Sequence, residues 1–190
     1  MSYSPRFKQA VDYAIDLHAD QHRKATSIPY VTHLMSVAAL VAEYGGTEDQ
    51  VIAALLHDAV EDQGGAPRLE DVRRRFGQPV ADIVQACTDT DQTPKPPWRE
   101  RKEDYIAHLS HASPDVLLVS AADKLHNSRT IVADLRERGP DAFEIFTGRR
   151  DGTLWYYRSL VEVFESRFEG PIVAELARTV RQMHELADAD

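Results

Sequence analysis

The chain has 190 residues, 43% hydrophobic and 28% charged, which suits one globular domain with a sizeable core. No apolar run approaches the ~20 residues of a membrane-spanning helix, the first residues lack a signal-peptide layout, and the lone Cys87 excludes an intrachain disulfide and a thiolate metal site. A formal net charge of −9 argues against nucleic acid as a partner, but a local basic rim can still hold a small phosphorylated ligand.

Almost every segment reads as helix. Residues 5–22 place Phe7, Val11, Ala14, Ile15 and His18 on one stripe. Residues 30–44 carry Val31, Leu34, Met35, Val37, Ala38 and Val41 before Gly45-Gly46 stop the pattern. Thr47, with Gln50 three residues on, has capping-box spacing. The run Val51-Ile52-Ala53-Ala54-Leu55-Leu56 then reads as a helix buried on most sides. Gly64 to Pro67 reads as a turn, 68–76 and 78–88 as short helices, and 89–97 as a polar, Pro-rich loop. A helix at about 99–111 follows. Ser113-Pro114 opens another, with serine as N-cap and proline at the first helical position, and Gly139-Pro140 ends it. Amphipathic helices at about 151–168 and 171–187 close the chain, with apolar faces that permit a monomer or a homodimer. Only Val116 to Val119 passes for a strand. The expectation is an all-α, single helical domain over 1–190 with its core at about 5–165, in a cytoplasmic protein without a membrane partner.

The chemistry concentrates in His57-Asp58-Ala59-Val60-Glu61-Asp62. Burying an unpaired carboxylate is costly, since even a polar group without a partner costs about 2–7 kcal/mol, so such a cluster beside a buried run points to pairing or to a metal. Glu61 follows His57 by four and Asp62 follows Asp58 by four, a spacing that shares a helix face. That lets His57 and Asp58 hold an ion while Glu61 and Asp62 reach past it toward water or substrate. Two further candidates complete a set. His33 stands in the first turn of an apolar-faced helix, and Asp123 ends the buried run Val116 to Ala122. Two imidazoles and two carboxylates suit Mn²⁺, Fe²⁺ or another divalent ion with open positions.

The order His33, His57-Asp58, Asp123 resembles the signature of the HD-domain metal-dependent phosphohydrolases. More narrowly, Arg23-Lys24 with Pro29-Tyr30, then His57 to Asp62, then Ala122-Asp123-Lys124-Leu125-His126-Asn127 with Thr130, resemble the hydrolase domain of the RelA/SpoT family and its small stand-alone versions. The resemblance implies an all-α fold and hydrolysis of the 3′-pyrophosphate of guanosine 3′,5′-polyphosphates, the alarmones of the stringent response, usually with Mn²⁺. It implies His33, His57, Asp58 and Asp123 as metal ligands, and Glu61 and Asp62 as the groups that position and deprotonate the attacking water. Arg23, Lys24, Lys124, Asn127 and Thr130 would contact the nucleotide. Lys102 belongs to a basic and aromatic rim formed by Lys95, Trp98, Arg99, Arg101 and Lys102, and one tyrosine of Trp155-Tyr156-Tyr157, taken as Tyr157, would lie near the base. Three positions depart from the family pattern: Ser120 replaces a lysine, Lys124 an arginine, and Leu34 a frequent proline. They bear on substrate choice. Two other readings stand beside this one. The first is an HD-type nucleotidase acting on an adenosine alarmone analogue, a deoxynucleoside monophosphate or NADPH. The second is a non-catalytic nucleotide-binding domain.

Overall fold

Ser4 starts the first helix by accepting a hydrogen bond from the Arg6 amide, with Pro5 at the first helical position. In the computed structural model, which describes residues 3–90 and 94–189, this helix (α1, Pro5–Leu17) ends well before residue 22. Its stripe is narrower than the sequence suggests: Ala10, Ala14 and His18 are buried, whereas Ile15 is exposed. Pro29 has no amide to donate and biases its predecessor away from helix. Residues 18–30 fold instead into a loop closed by an isolated bridge between His22 and Pro29, with Arg23 N donating to Ile28 O and Tyr30 N to Gln21 O, both at 2.8 Å.

Two buried helices follow. Helix α2 (Val31–Glu43) turns His33, Leu34, Val37, Ala38, Leu40 and Val41 inward, and leaves Met35 exposed. Gly45, at φ +84, supplies the left-handed residue that stops it. Helix α3 (Glu48–Leu56) begins with the capping box expected of Thr47 and Gln50 and is buried from Gln50 to Leu56. It does not run on through residue 62. His57 and Asp58 form a turn, followed by the single-turn helix α4 (Ala59–Asp62). Gly64 and Gly65 take positive φ, and α5 (Gly65–Phe76) starts three residues earlier than expected, because Pro67 is tolerated within a first turn. Helix α6 (Gln78–Cys87) and helix α7 (Trp98–Leu109) lie on either side of the polar loop.

The longest element, α8 (Pro114–Arg138), is capped by Ser113 and ended by Gly139 at φ +61. It packs against α2, α3 and α6, so three buried helices surround the end of α3. A 3-10 helix (Gly139–Ile145) leads into α9 (Arg149–Arg167), and α10 (Pro171–Ala187) closes the chain. The apolar face of α10 is not exposed. Ile172, Val173, Leu176, Ala177, Val180 and Met183 are buried as it packs onto α8 and α9, so those side chains stabilise the chain itself. Among the described residues no strand forms, and no helix is long and apolar enough to cross a membrane. The fold is all-α.

One contact ties this framework to the site. Trp98, at the start of α7, lies against Gly148 and Gly152 near the start of α9. A Cβ on Gly148 would meet the indole at 2.6 and 2.7 Å, and one on Gly152 would meet it at 3.1 and 3.2 Å. Gly148→Ala is therefore expected to destabilise by roughly 1–3 kcal/mol through overpacking. A thermal melt checks this, since each kcal/mol lowers Tm by about 2–4 °C at this chain length.

Candidate metal centre and adjoining cavity

His33 from α2, His57 and Asp58 from the turn after α3, and Asp123 from α8 converge on one point. His33, His57 and Asp123 are buried, and Asp58 is nearly so. One ligand atom each from His33, His57 and Asp58 lies within 4.8 Å of the others. Asp123 Oδ1 joins them, 3.2 Å from His33 Nε2 and 3.6 Å from His57 Nε2. His57 and Asp58 stand in the turn after Leu56, both still in the right-handed region, and there His57 Nε2 and Asp58 Oδ2 approach to 3.0 Å.

The contacts behind the cluster fix its orientation. His57 Nδ1 donates to the Ala54 carbonyl at 2.8 Å; since a carbonyl only accepts, Nδ1 carries a proton and Nε2 is the ring nitrogen that faces inward. His33 Nδ1 is 2.8 Å from His126 Nδ1. Burial, with His33 adding to it, pushes the His126 ring down to about 4, so one facing nitrogen donates to the other between neutral rings, and with His33 as the donor its Nε2 is left free. Tyr30 donates to Asp58 Oδ2 at 2.5 Å, Lys124 to Asp123 Oδ2 at 2.6 Å and Asn127 to Asp123 Oδ1 at 2.5 Å.

His57 Nε2 is the telling atom. It is buried, 3.0 Å from Asp58 Oδ2, yet aligned with no hydrogen-bond partner. Buried polar atoms are otherwise almost always satisfied. An imidazole nitrogen and carboxylate oxygens gathered at one buried point make a donor set that fits a divalent cation once the nitrogen gives up its proton.

The charges are mutually supporting. Burial opposes charging His57, but Asp58 and Asp123 outweigh it and hold its pKa well above the usual histidine range. Burial works against ionising Asp58 and Asp123 too. The surrounding positive groups, His57 for Asp58 and Lys124 with the imidazoles for Asp123, hold both below the usual carboxylate range. A cation must displace the proton that His57 carries. Metal uptake is thus expected to release about one proton near neutral pH, and apparent affinity to fall as pH falls, by up to about tenfold per unit. Calorimetry in buffers of different ionisation enthalpy measures that proton directly.

Glu61 and Asp62 sit one turn past the cluster, on α4. Asp62 Oδ2 accepts from Gln21 Nε2 at 2.8 Å, and burial, with Asp58 adding to it, raises its pKa. Glu61 meets Lys95 Nζ at 2.7 Å and the Asp89 amide at 3.3 Å.

A cavity of about 550 Å³ opens beside the cluster. It is lined by Arg23, Lys24, Lys102, Lys124, Asn127, Thr130 and Tyr157, so each residue expected to contact a nucleotide lies in its wall. Of the expected rim, Trp98 and Lys102 line the cavity. Lys95 turns to Glu61, Arg101 pairs with Asp89, and Arg99 packs over the Trp155 ring at 3.2 Å. Residues 91–93 of that loop lie outside the described residues. Both Tyr156 and Tyr157 reach the cavity wall, rather than one tyrosine. Burial, with Lys124 and Arg101 adding to it, pushes Lys102 down to about 7 although Asp89 lies 3.1 Å away. At the position where the family pattern has lysine, Ser120 is buried and accepts from the Tyr105 hydroxyl at 3.0 Å. Sequence reasoning gave no role to Tyr30, His126 or Gln21. Tyr30 and His126 stand inside the quoted motifs, and that proximity was the available signal.

The order and convergence of these four residues agree with the sequence profile of the HD domain, which matches residues 10–154. The chain belongs to the HD-domain family. Divalent-metal dependence comes with that membership, and His33, His57 and Asp58 form the matching cluster. This HD-domain chain is 37% identical over 138 residues to the guanosine-3′,5′-bis(diphosphate) 3′-pyrophosphohydrolase MESH1 of Xenopus tropicalis, covering 71% of this chain and 72% of that protein. It is 33% identical over 187 residues to the human protein of the same name, covering 97% and 92%. The fold superposes with a TM-score of 0.80 and 27% identity on a metazoan ortholog of SpoT that hydrolyses ppGpp and plays a role in starvation responses, over 96% of this chain and 97% of that one. A second solved structure, lmo0812 of Listeria monocytogenes EGD-e, matches with a TM-score of 0.72 and 29% identity, over 80% and 99%.

Proposed function

We propose that this HD-domain chain, acting as one domain over 1–190, is a metal-dependent pyrophosphohydrolase that removes the 3′-pyrophosphate from guanosine 3′,5′-polyphosphates. The products are GDP or GTP and pyrophosphate. The observation that carries this reading is the continuity of the cation-lined cavity with the buried cluster. Lys124 and Asn127 hydrogen-bond Asp123 and also line the cavity, so a phosphate held there abuts the metal-binding residues. The relatives named above carry the same activity in their names.

His33, His57, Asp58 and Asp123 hold the ion, taken to be Mn²⁺. A divalent cation there supplies Lewis acidity, lowering the pKa of a water and neutralising charge on phosphoryl oxygens. Asp62, with its raised pKa, accepts the water's proton, and Glu61, fixed by Lys95, orients the water. The water oxygen bonds to the phosphorus on the ribose 3′ oxygen, the bond between them breaks, and the proton on Asp62 is available to that leaving oxygen. Arg23, Lys24, Lys102 and Lys124 bind the phosphates, and Asn127, Thr130 and Tyr157 contact the nucleoside.

Anion-exchange resolution of products from ppGpp, ppApp, deoxynucleoside monophosphates and NADPH tests the reading. GDP with stoichiometric pyrophosphate, as the fastest reaction of the panel, supports it. Orthophosphate release from a monophosphate or NADPH as the faster reaction would replace it with the nucleotidase reading.

A further inference from the structure

We propose that Asp134 reads the nucleobase and selects guanine over adenine; this deepens the function proposed above and rests on it. Helix α8 works as a ruler. Asn127 follows Asp123 by four, Thr130 and Ile131 follow Asn127 by three and four, and Asp134 follows them by four and three, which is one stripe of a helix. Asn127, Thr130, Ile131 and Asp134 all line the cavity. Asp123 and Asp134 are separated along the axis by about 16 Å at ~1.5 Å per residue. That matches a nucleoside 3′-phosphate laid along the helix plus the reach of an aspartate side chain.

Among the described residues lining this cavity, Asp134 is the one carboxylate; the other charged groups are the cations Arg23, Lys24, Lys102 and Lys124. An acid beside phosphates would repel them, but at the far end of the stripe it meets the other end of the ligand. The cavity wall carries apolar groups as well: Ile131 one turn back along α8, and Ile145 and Phe146 from the segment after it. Arg138, one turn further on, pairs with Asp134 Oδ2 at 3.3 Å. A carboxylate only accepts hydrogen bonds. Guanine presents N1–H and its 2-amino group as adjacent donors, matching two carboxylate oxygens. Adenine presents an N1 lone pair in the same place, which a carboxylate repels, so the acid both attracts one base and rejects the other.

The test titrates the metal-loaded protein with guanosine 3′,5′-bisphosphate and adenosine 3′,5′-bisphosphate by calorimetry, for the wild type and for Asp134→Asn. The wild type is expected to bind the guanosine ligand at least about tenfold more tightly, the scale of one bidentate base contact. In Asp134→Asn, the amide can donate to adenine N1 and accept from its 6-amino group, so the preference is expected to fall about tenfold or to invert. A wild type without preference, or a preference unchanged in Asp134→Asn, overturns the assignment. Pyrophosphate release from ppGpp is followed in the same preparations. Its absence from the wild type would refute the pyrophosphohydrolase reading, while the ratio of binding constants still decides the role of Asp134.

Discussion

His57→Ala is expected to yield a protein that retains no stoichiometric divalent metal and turns over alarmone at background rate, a loss on the order of 10³-fold or more, since metal catalysis supplies several kcal/mol. Its Nε2 is the inward-facing nitrogen that the Ala54 contact at Nδ1 orients. The same deletion leaves Asp58 and Asp123 facing each other without the imidazole that chiefly holds Asp58 below the usual carboxylate range and assists Lys124 in holding Asp123 there, so a lower Tm accompanies the loss. Asp58→Asn provides the companion variant with the volume preserved. It keeps a partner for Tyr30, which now donates to Asp58 Oδ2, and it too is expected to lose the metal. Elemental analysis of the purified variants measures this directly. A metal-replete, active His57→Ala protein would contradict the ligand assignment.

Glu61→Gln separates binding from chemistry. Glu61 makes no contact with the cluster; its oxygens meet Lys95 and the Asp89 amide. The isosteric amide is therefore expected to keep the metal and the fold, and to lose about 10²-fold or more in kcat, the typical contribution of a positioned acid–base group. Asp62→Asn is expected to lose a similar factor, because Asp62 carries the raised pKa suited to taking a proton. Full turnover in Glu61→Gln would remove Glu61 from the water-handling pair. A loss of metal in that variant would show that the acid acts through the cluster.

Several features were legible in the sequence because they are local. The Thr47–Gln50 capping box, the Ser113-Pro114 start, and the glycine stops at 45 and 139 depend on residues within a turn of one another. The order of His33, His57-Asp58 and Asp123 was legible for a different reason, since buried ionisable residues need a shared explanation. The break after Leu56 was not legible. The run from Val51 to Leu56 is apolar on every face, so periodicity carries no information about where the helix ends. Nor was the end of α1 at Leu17, because His18 is buried and continues the stripe while the chain has already left the helix. The groups that orient the cluster were hidden for a third reason. Tyr30 reaches Asp58 across 28 residues, Gln21 reaches Asp62 across 41 and His126 meets His33 across 93, and such contacts exist only once α2, α3 and α8 have packed. The apolar face of α10 illustrates the same point: a stripe read as available for a partner copy turned out to pack onto α8.

The most direct test of the account titrates the chelator-stripped protein with Mn²⁺ and follows bound ion per chain and pyrophosphate release from ppGpp in the same sample. The two are expected to rise together and saturate at one ion per chain, with both abolished by EDTA. Pyrophosphate release from the stripped protein, or a fully loaded protein that releases none, would contradict it.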